Sequence, residues 1–320
     1  MTELQFADRA GLPDRRRRSA LTGLGLTALG WSALTAGGSL QAAVAAAGAA
    51  PDGAPQRIVS VGSDLTEIVY ALGAGGQVVA TDTTSQFPAA AAATRKIGYM
   101  RELAAEGVLS LEPDLLLLSA AAGPPSVIRQ LAATGIAMAR APEHYTLAAV
   151  REKIQLLGQA LHRPAQAGEL LGSFDRQVSE LQTLREQLSG RPRVAFLLST
   201  GRGAPQAAGS ATAAQAVLDL INADNVFTHR GYKAVATEAM IALNPEIILM
   251  MNHSIASAGG AQTVLQWPAV ALTDAGRQQR LIGVDGAALL AFGPRVVASA
   301  MALARQIHQL PLSRLAHGKH

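Results

Sequence analysis

Tyrosine is scarce in this chain of 320 residues, and two of the four copies stand in a segment that occurs twice. The first copy reads Gly98-Tyr99-Met100-Arg101, then Glu106, then Pro113-Asp114 and the apolar run Leu115 to Leu118. The second reads Gly231-Tyr232-Lys233, then Glu238, then Pro245-Glu246 and the run Ile247 to Met251. In both, a Pro follows the Glu by seven residues and an acid follows the Pro. A phenol has a pKa of about 10 and ligates poorly while neutral, but ferric iron favours the phenolate and a neighbouring cation favours it further. Arg101, two residues after Tyr99, is such a cation, or a partner for a carboxylate on a ligand. Tyrosinate is an axial ligand that haem iron accepts. A Gly-Tyr-x-Arg string taken alone is equally a half-buried loop tyrosine, so both readings stand at this point.

With no cysteine and seven histidines, a metal here would be held by oxygen or by scattered imidazoles. Glu106 and Glu238 share one offset within the two copies. They read either as first-turn acids favoured by a helix dipole or as a symmetric pair that meets basic patches on a two-fold partner. Ser199-Thr200-Gly201-Arg202-Gly203 follows a predicted strand, where ligands meet open α/β sheets, yet it lacks the Lys-Ser/Thr ending of a phosphate loop. Asn252-His253-Ser254 follows the strand of the second copy, so His253 is either a cleft or a surface histidine. Asp14, Asp64 and the other acids show no pairing that demands acid–base chemistry. Neither a Gly-x-Ser-x-Gly elbow nor an HExxH motif occurs.

The elements that would carry these residues alternate strand with helix. Ile58 to Gly62, Gln77 to Asp82, Asp114 to Ser119 and Gly135 to Arg140 read as strands, with a helix opening at Asp64-Leu65-Thr66-Glu67. Such alternation predicts parallel sheets covered on both faces. From Pro164 the apolar residues Leu170, Leu171, Phe174, Val178, Leu181, Leu184 and Leu188 recur at steps of three and four, which predicts one long helix. About 25 residues at 1.5 Å each span roughly 37 Å, enough to link two domains. Gly190-Arg191-Pro192 ends it, and Arg193 to Ser199 restarts the alternation through Leu281 to Val284 and a last helix from about Pro294 to Gln309. The expected division is 1–50 export signal and small-residue spacer, 55–163 first lobe, 164–190 connecting helix, 191–312 second lobe and 313–320 tail.

Arg15 to Arg18 before an apolar, Gly-rich stretch, followed by Ala43-Val44-Ala45, read as an export signal that is removed, by the general or the twin-arginine route. A retained anchor is the alternative reading of that stretch. Export points to the periplasm. With 49% hydrophobic and 16% charged residues the chain is of a folding class. Five arginines and three acids in the first eighteen residues account for two of its four net positive charges, too few in the remainder for a nucleic-acid footprint.

Arg57 to Asp82, Gly98-Tyr99-Met100-Arg101 with Glu106 and Pro113-Asp114, the helical connector, Gly231-Tyr232-Lys233 and Phe292-Gly293-Pro294-Arg295 together resemble a periplasmic haem-binding protein of a haem ABC importer. These belong to the class III periplasmic binding proteins, which also carry vitamin B12 and ferric siderophores. The resemblance implies two Rossmann-like α/β lobes joined by one long helix, no enzymatic activity, and haem b as transported ligand in the cleft. It implies Tyr99 as the iron ligand and Arg101 as its electrostatic partner. Tyr232, His253 and Thr200 become further haem-contacting candidates. It also implies docking of Glu106 and Glu238 on an inner-membrane ABC permease with its ATPase, downstream of an outer-membrane haem receptor system, with the binding protein itself a monomer. Thr200 stands where some members have a His, and Asn252-His253 where many have an Arg, which leaves the sixth ligand and one or two haems open. Vitamin B12 or a ferric siderophore is the alternative cargo, and an exported α/β enzyme the third reading.

Overall fold

The computed structural model describes residues 53–142, 144–198 and 205–309. The expected export signal, Thr200 with its Gly-rich neighbours, and the 313–320 tail lie outside the described residues. The chain opens with β1 (Ile58–Val61), α1 (Ser63–Ala71), β2 (Val78–Thr81), α2 (Ala89–Ala93), α3 (Ala105–Leu109), β3 (Leu115–Leu118), α4 (Pro125–Ala132) and β4 (Ala137–Arg140). Two long helices follow, α5 (Leu147–Ala160) and α6 (Pro164–Gln187). Then come β5 (Arg193–Leu198), β6 (Gln206–Ala208), α7 (Ala213–Leu220), β7 (Asp224–Asn225), β8 (Tyr232–Ala234), α8 (Thr237–Leu243) and β9 (Ile247–Met251). Four short helices, α9 (Asn252–Ser257), α10 (Ala261–Leu265), α11 (Pro268–Ala271) and α12 (Asp274–Arg277), precede β10 (Leu281–Val284), α13 (Gly286–Leu290) and α14 (Val296–Gln309).

The first sheet has the order β2-β1-β3-β4 and is parallel throughout. The second repeats that plan, with β7, β9 and β10 parallel to their neighbours around β5. It adds a piece that strand-helix alternation does not predict, because β6 pairs antiparallel with β5 and β8 pairs antiparallel with β6 at the sheet edge. This pairing puts Tyr232 on an edge strand, whereas its sequence counterpart Tyr99 sits in a turn.

Period-two alternation explains why both sheets are buried on two faces. Ile58, Leu115 and Leu117 of the first sheet and Val194, Phe196, Ile247 and Leu249 of the second enter one shared core. Their alternating neighbours fill separate outer cores, Val59, Val61, Leu116 and Leu118 in one lobe and Ala195, Leu197, Ile248 and Met250 in the other. Helix α6 lies along the shared core and buries Ala167, Phe174 and Leu181, one side chain every seven residues. The single long helix predicted to begin at Pro164 is thus present, and it packs on α5 and α14 as a member of the core.

The repeated Pro-acid step has a structural cause. Asp114 accepts the backbone N–H groups of Gln56 (2.6 Å) and Arg57 (3.0 Å) at the entry to β1. Glu246 accepts that of Arg193 (2.9 Å) at the entry to β5. The side chains of Arg57 and Arg193 donate in turn to the carbonyls of Leu111 and Leu243. The residues before the two prolines, Glu112 and Asn244, share a left-handed backbone with φ of 47° and 39°. Each copy is therefore a helix stop, a tight reversal and a carboxylate that fastens one strand to the next.

Two ion pairs lie at the floor between the lobes. Lys153 Nζ of α5 donates to Asp64 Oδ2 of α1 at 2.6 Å and to the Phe292 carbonyl at 3.3 Å. Asp64, for which the sequence demands no acid–base role, is thus held in a structural ion pair. Arg295 binds Glu67 through two bonds, its Nε at 2.9 Å from Oε2, and its guanidinium lies over the Phe87 ring at 3.9 Å. Both ties cross from one lobe to the other, because Phe292 and Arg295 follow the second sheet.

The side chains of Asp64 and Lys153 are each 6% exposed. Asp64→Ala strands a buried ammonium and is expected to cost about 3–5 kcal/mol in urea unfolding. Burial pushes the Glu67 carboxyl above its ordinary value of 4.5 despite the opposing pull of Arg295. A raised carboxyl stabilises the fold below its unfolded pKa, and that contribution is lost as pH rises through the folded value. Glu67→Gln removes this loss, so the variant's stability relative to the native chain should rise from pH 4 to pH 7 in urea titrations.

Candidate functional site

A cavity of about 820 Å³ opens between the lobes, within the roughly 300–1,000 Å³ range of small-molecule sites. Its walls come from the carboxyl ends of parallel strands, where open α/β sheets meet ligands. After β1 come Ser63 and Asp64, after β2 Thr83, Thr84 and Gln86, after β3 Ser119 to Ala121, and after β4 Pro142, His144 and Tyr145. The second lobe contributes Met251 to His253 after β9 and Asp285 to Ala287 after β10.

Tyr99, Met100 and Arg101 stand on this wall. Gly98 has φ 96°, a conformation that glycine adopts at little cost, and Gly231 in the second copy has φ 74°. The Tyr99 turn closes with a bond from Glu102 N to Tyr99 O at 2.9 Å. Gly123 clamps it from one side, donating to Met100 O and accepting from Leu103 N at 2.9 Å each. Thr83 N donates to Gly98 O at 2.9 Å from the other. The backbone is thus held while the Tyr99 side chain remains 42% exposed to the cavity. Arg101 makes no hydrogen bond or ion pair with another described residue, so its guanidinium is free to meet a ligand carboxylate.

Lys96, just before this turn, donates to Thr81 Oγ1 (2.8 Å), Ser85 O (2.7 Å) and Ala91 O (2.9 Å), which ties the turn to the end of β2. Burial pulls its ammonium below the ordinary lysine value, and the charge of Asp82 offsets part of that pull.

Tyr232, on β8, is not among the residues that line the cavity, although Tyr145 and Arg101 of its wall are near enough to act on its phenol. Burial pushes its phenol above the ordinary value, Tyr145 adds to the push, and a bond to Thr212 and the charge of Arg101 oppose it. A raised pKa makes its phenolate harder to form and so makes its oxygen a weaker ligand for a cation. His253 lies on the cavity wall in the first turn of α9 and is exposed. Glu106 and Glu238 occupy the first turns of α3 and α8, one in each lobe, both exposed and outside the cavity lining. Neither pairs with another described residue.

Sequence reasoning passed over His144 and gave Tyr145 no role, yet both line the cavity. The position that singled out His253, just after a strand, applies equally to His144 after β4. Tyr145 stacks on Phe292 across the floor, with ring centroids 5.7 Å apart. Asp285 caps α13 through the N–H groups of Ala287 and Ala288 and faces Arg295 at 3.3 Å.

Solved structures share this architecture. The periplasmic heme-binding protein BhuT in complex with two hemes matches at 35% identity with a TM-score of 0.76, over 79% of this chain and 97% of that one. The apo form of the periplasmic heme-binding protein RhuT from Roseiflexus sp. RS-1 matches at 33% with a TM-score of 0.77, over 79% and 98%. A curated relative, the vitamin B12-binding protein of Pectobacterium atrosepticum, is 25% identical over 81% of this chain and 91% of its own. With two α/β lobes, one connecting helix and a cavity between them, and with residues 58–288 matching the family model for periplasmic binding proteins, the chain belongs to the periplasmic binding protein family.

Proposed function

We propose that this protein is exported to the periplasm through its N-terminal signal, captures haem b in the interlobe cavity and hands it to an inner-membrane ABC permease. The observation that carries the reading is the presence on one cavity wall of an exposed phenol, Tyr99, and of a guanidinium, Arg101, that has no hydrogen-bond or ion-pair partner among the described residues. Haem presents a ferric centre that accepts a phenolate and two carboxylates that a guanidinium can bind. The cavity wall between these groups includes Met100, Ala120, Ala121, Leu290 and Ala291, which suits the apolar face of a porphyrin. Similarity to heme-binding structures of the same fold supports the same cargo. In this reading Tyr99 ligates the iron, and Tyr232 and His253 contact the porphyrin from the second lobe. Thr200 remains a contact suggested by its sequence position alone.

Vitamin B12 is the second reading, favoured by relatives named for binding it. Titration of the purified protein with haem and with cobalamin separates the two, since only the bound compound changes its absorption spectrum. Tyr99→Ala is expected to abolish the tyrosinate-type haem spectrum and to weaken haem binding at least about 10-fold, the usual cost of losing a strong ligand-directed contact. An unchanged spectrum would remove the ligand assignment.

Delivery requires a docking face as well as a cleft. Glu106 and Glu238, exposed and unpaired on the two lobes, are placed to meet cationic side chains on the two halves of a symmetric permease. The double variant Glu106→Ala, Glu238→Ala should bind haem with native affinity and fail to support uptake in reconstituted vesicles. Native uptake by that variant would refute the docking role.

A further inference from the structure

Asp82 follows β2 just before the cavity wall and is fully buried, yet no part of the haem reading uses it. Its carboxylate accepts four hydrogen bonds. Oδ1 takes Gly62 N at 2.8 Å and Ser85 Oγ at 2.7 Å, while Oδ2 takes Thr84 N at 2.8 Å and Thr84 Oγ1 at 2.5 Å. Gly62 is irreplaceable at this junction, because its φ is 114° and a Cβ there would lie 2.6 Å from the Ser119 side chain. One carboxylate therefore ties the end of β1 to the 83–85 turn.

That turn bears directly on the proposed ligand. Thr83 N donates to the carbonyl of Gly98, the residue before Tyr99. The hydroxyl of Thr84 reaches the sulfur of Met100, the residue after it, at 3.8 Å. Ser85 continues inward to Thr66 (2.8 Å) and Thr66 to Ser60 (2.9 Å), so the turn is anchored to the first lobe's sheet through hydroxyls that are all buried.

We propose that Asp82 is a positioning residue for Tyr99, holding the 83–85 turn so that the phenol oxygen is aimed into the cavity. The proposal rests on the reading of Tyr99 as the iron ligand. A ligand on a turn keeps its direction only through the groups that hold the turn, and such outer partners set metal affinity by about 10–100-fold.

Asp82→Asn keeps the side-chain volume but turns one acceptor oxygen into a donor that faces an N–H or O–H. In the full mature chain it should speed hydrogen exchange at Glu102 and Leu103 without cargo. It should also shift the phenolate-to-iron charge-transfer band and raise haem release to apomyoglobin about 10–100-fold. A lower unfolding temperature with the native band and native release rate would make Asp82 merely structural and overturn the proposal. Should Asp82→Asn fail to fold, Thr84→Val removes one donor to Asp82 and the Met100 contact; a native band and release rate there overturn it equally. An unaltered band in Tyr99→Ala removes the ligand reading and the proposal together, whereas native exchange and release in Asp82→Asn alone remove only the proposal.

Discussion

A ligand gripped from two sides is held only as firmly as the sides are held to each other, and in this protein apolar burial supplies that constraint. The inner faces of both sheets and one stripe of α6 drain into a single core. Parting the lobes would expose Phe174, Phe196 and Phe292, each fully buried, at about 25 cal/mol per Å² of apolar surface. A hinge of the kind made by two or three extended strands would let the lobes swing at little cost. A helix of 24 residues whose buried side chains belong to the core shared by both lobes offers no such hinge.

The polar ties at the floor refine this constraint more than they strengthen it. Arg295 to Glu67 and Lys153 to the Phe292 carbonyl fix where the second lobe meets α1, but burial opposes charge on Glu67 even with a guanidinium beside it. Their contribution is orientation, since a bidentate Arg-carboxylate pair tolerates little rotation. Arg295 also reaches Asp285 on the cavity wall, so the geometry of the floor and that of the binding surface are set by one side chain.

The parts of the fold written in local pattern were readable from the sequence. Strands β1, β3, β5 and β9 are apolar runs, and α6 announces itself by Pro164 and its apolar stripe, because burial on a regular element leaves a periodic trace. The ion pairs leave none. Asp64 and Lys153 are 89 positions apart and Glu67 and Arg295 are 228 apart, distances that only the folded chain closes. The β6–β8 pair leaves no trace for another reason, since strands of three residues are too short to show alternation. The Pro-acid repeat was visible as a repeat, but its purpose was not, because the partners of Asp114 and Glu246 are backbone groups that every sequence contains.

That repeat separates two demands made on one segment. Its second half, from the left-handed residue through Pro to the acid, is constrained alike in both lobes, because both must fasten one parallel strand to the next. Its first half is free to diverge, and it has. Gly98 leads into a clamped turn that carries Tyr99 and Arg101 on the cavity wall, while Gly231 leads into an edge strand where Tyr232, also exposed, has a phenol whose ionisation its surroundings oppose. Two copies of one sequence pattern thus set their tyrosines on unlike backbones, one on the cavity wall and the other on an edge strand outside its lining. On the proposed reading this asymmetry is what selects Tyr99 for iron. The decisive difference is the backbone after each glycine, a turn in one lobe and a strand in the other, which the Gly-Tyr dipeptide itself does not encode.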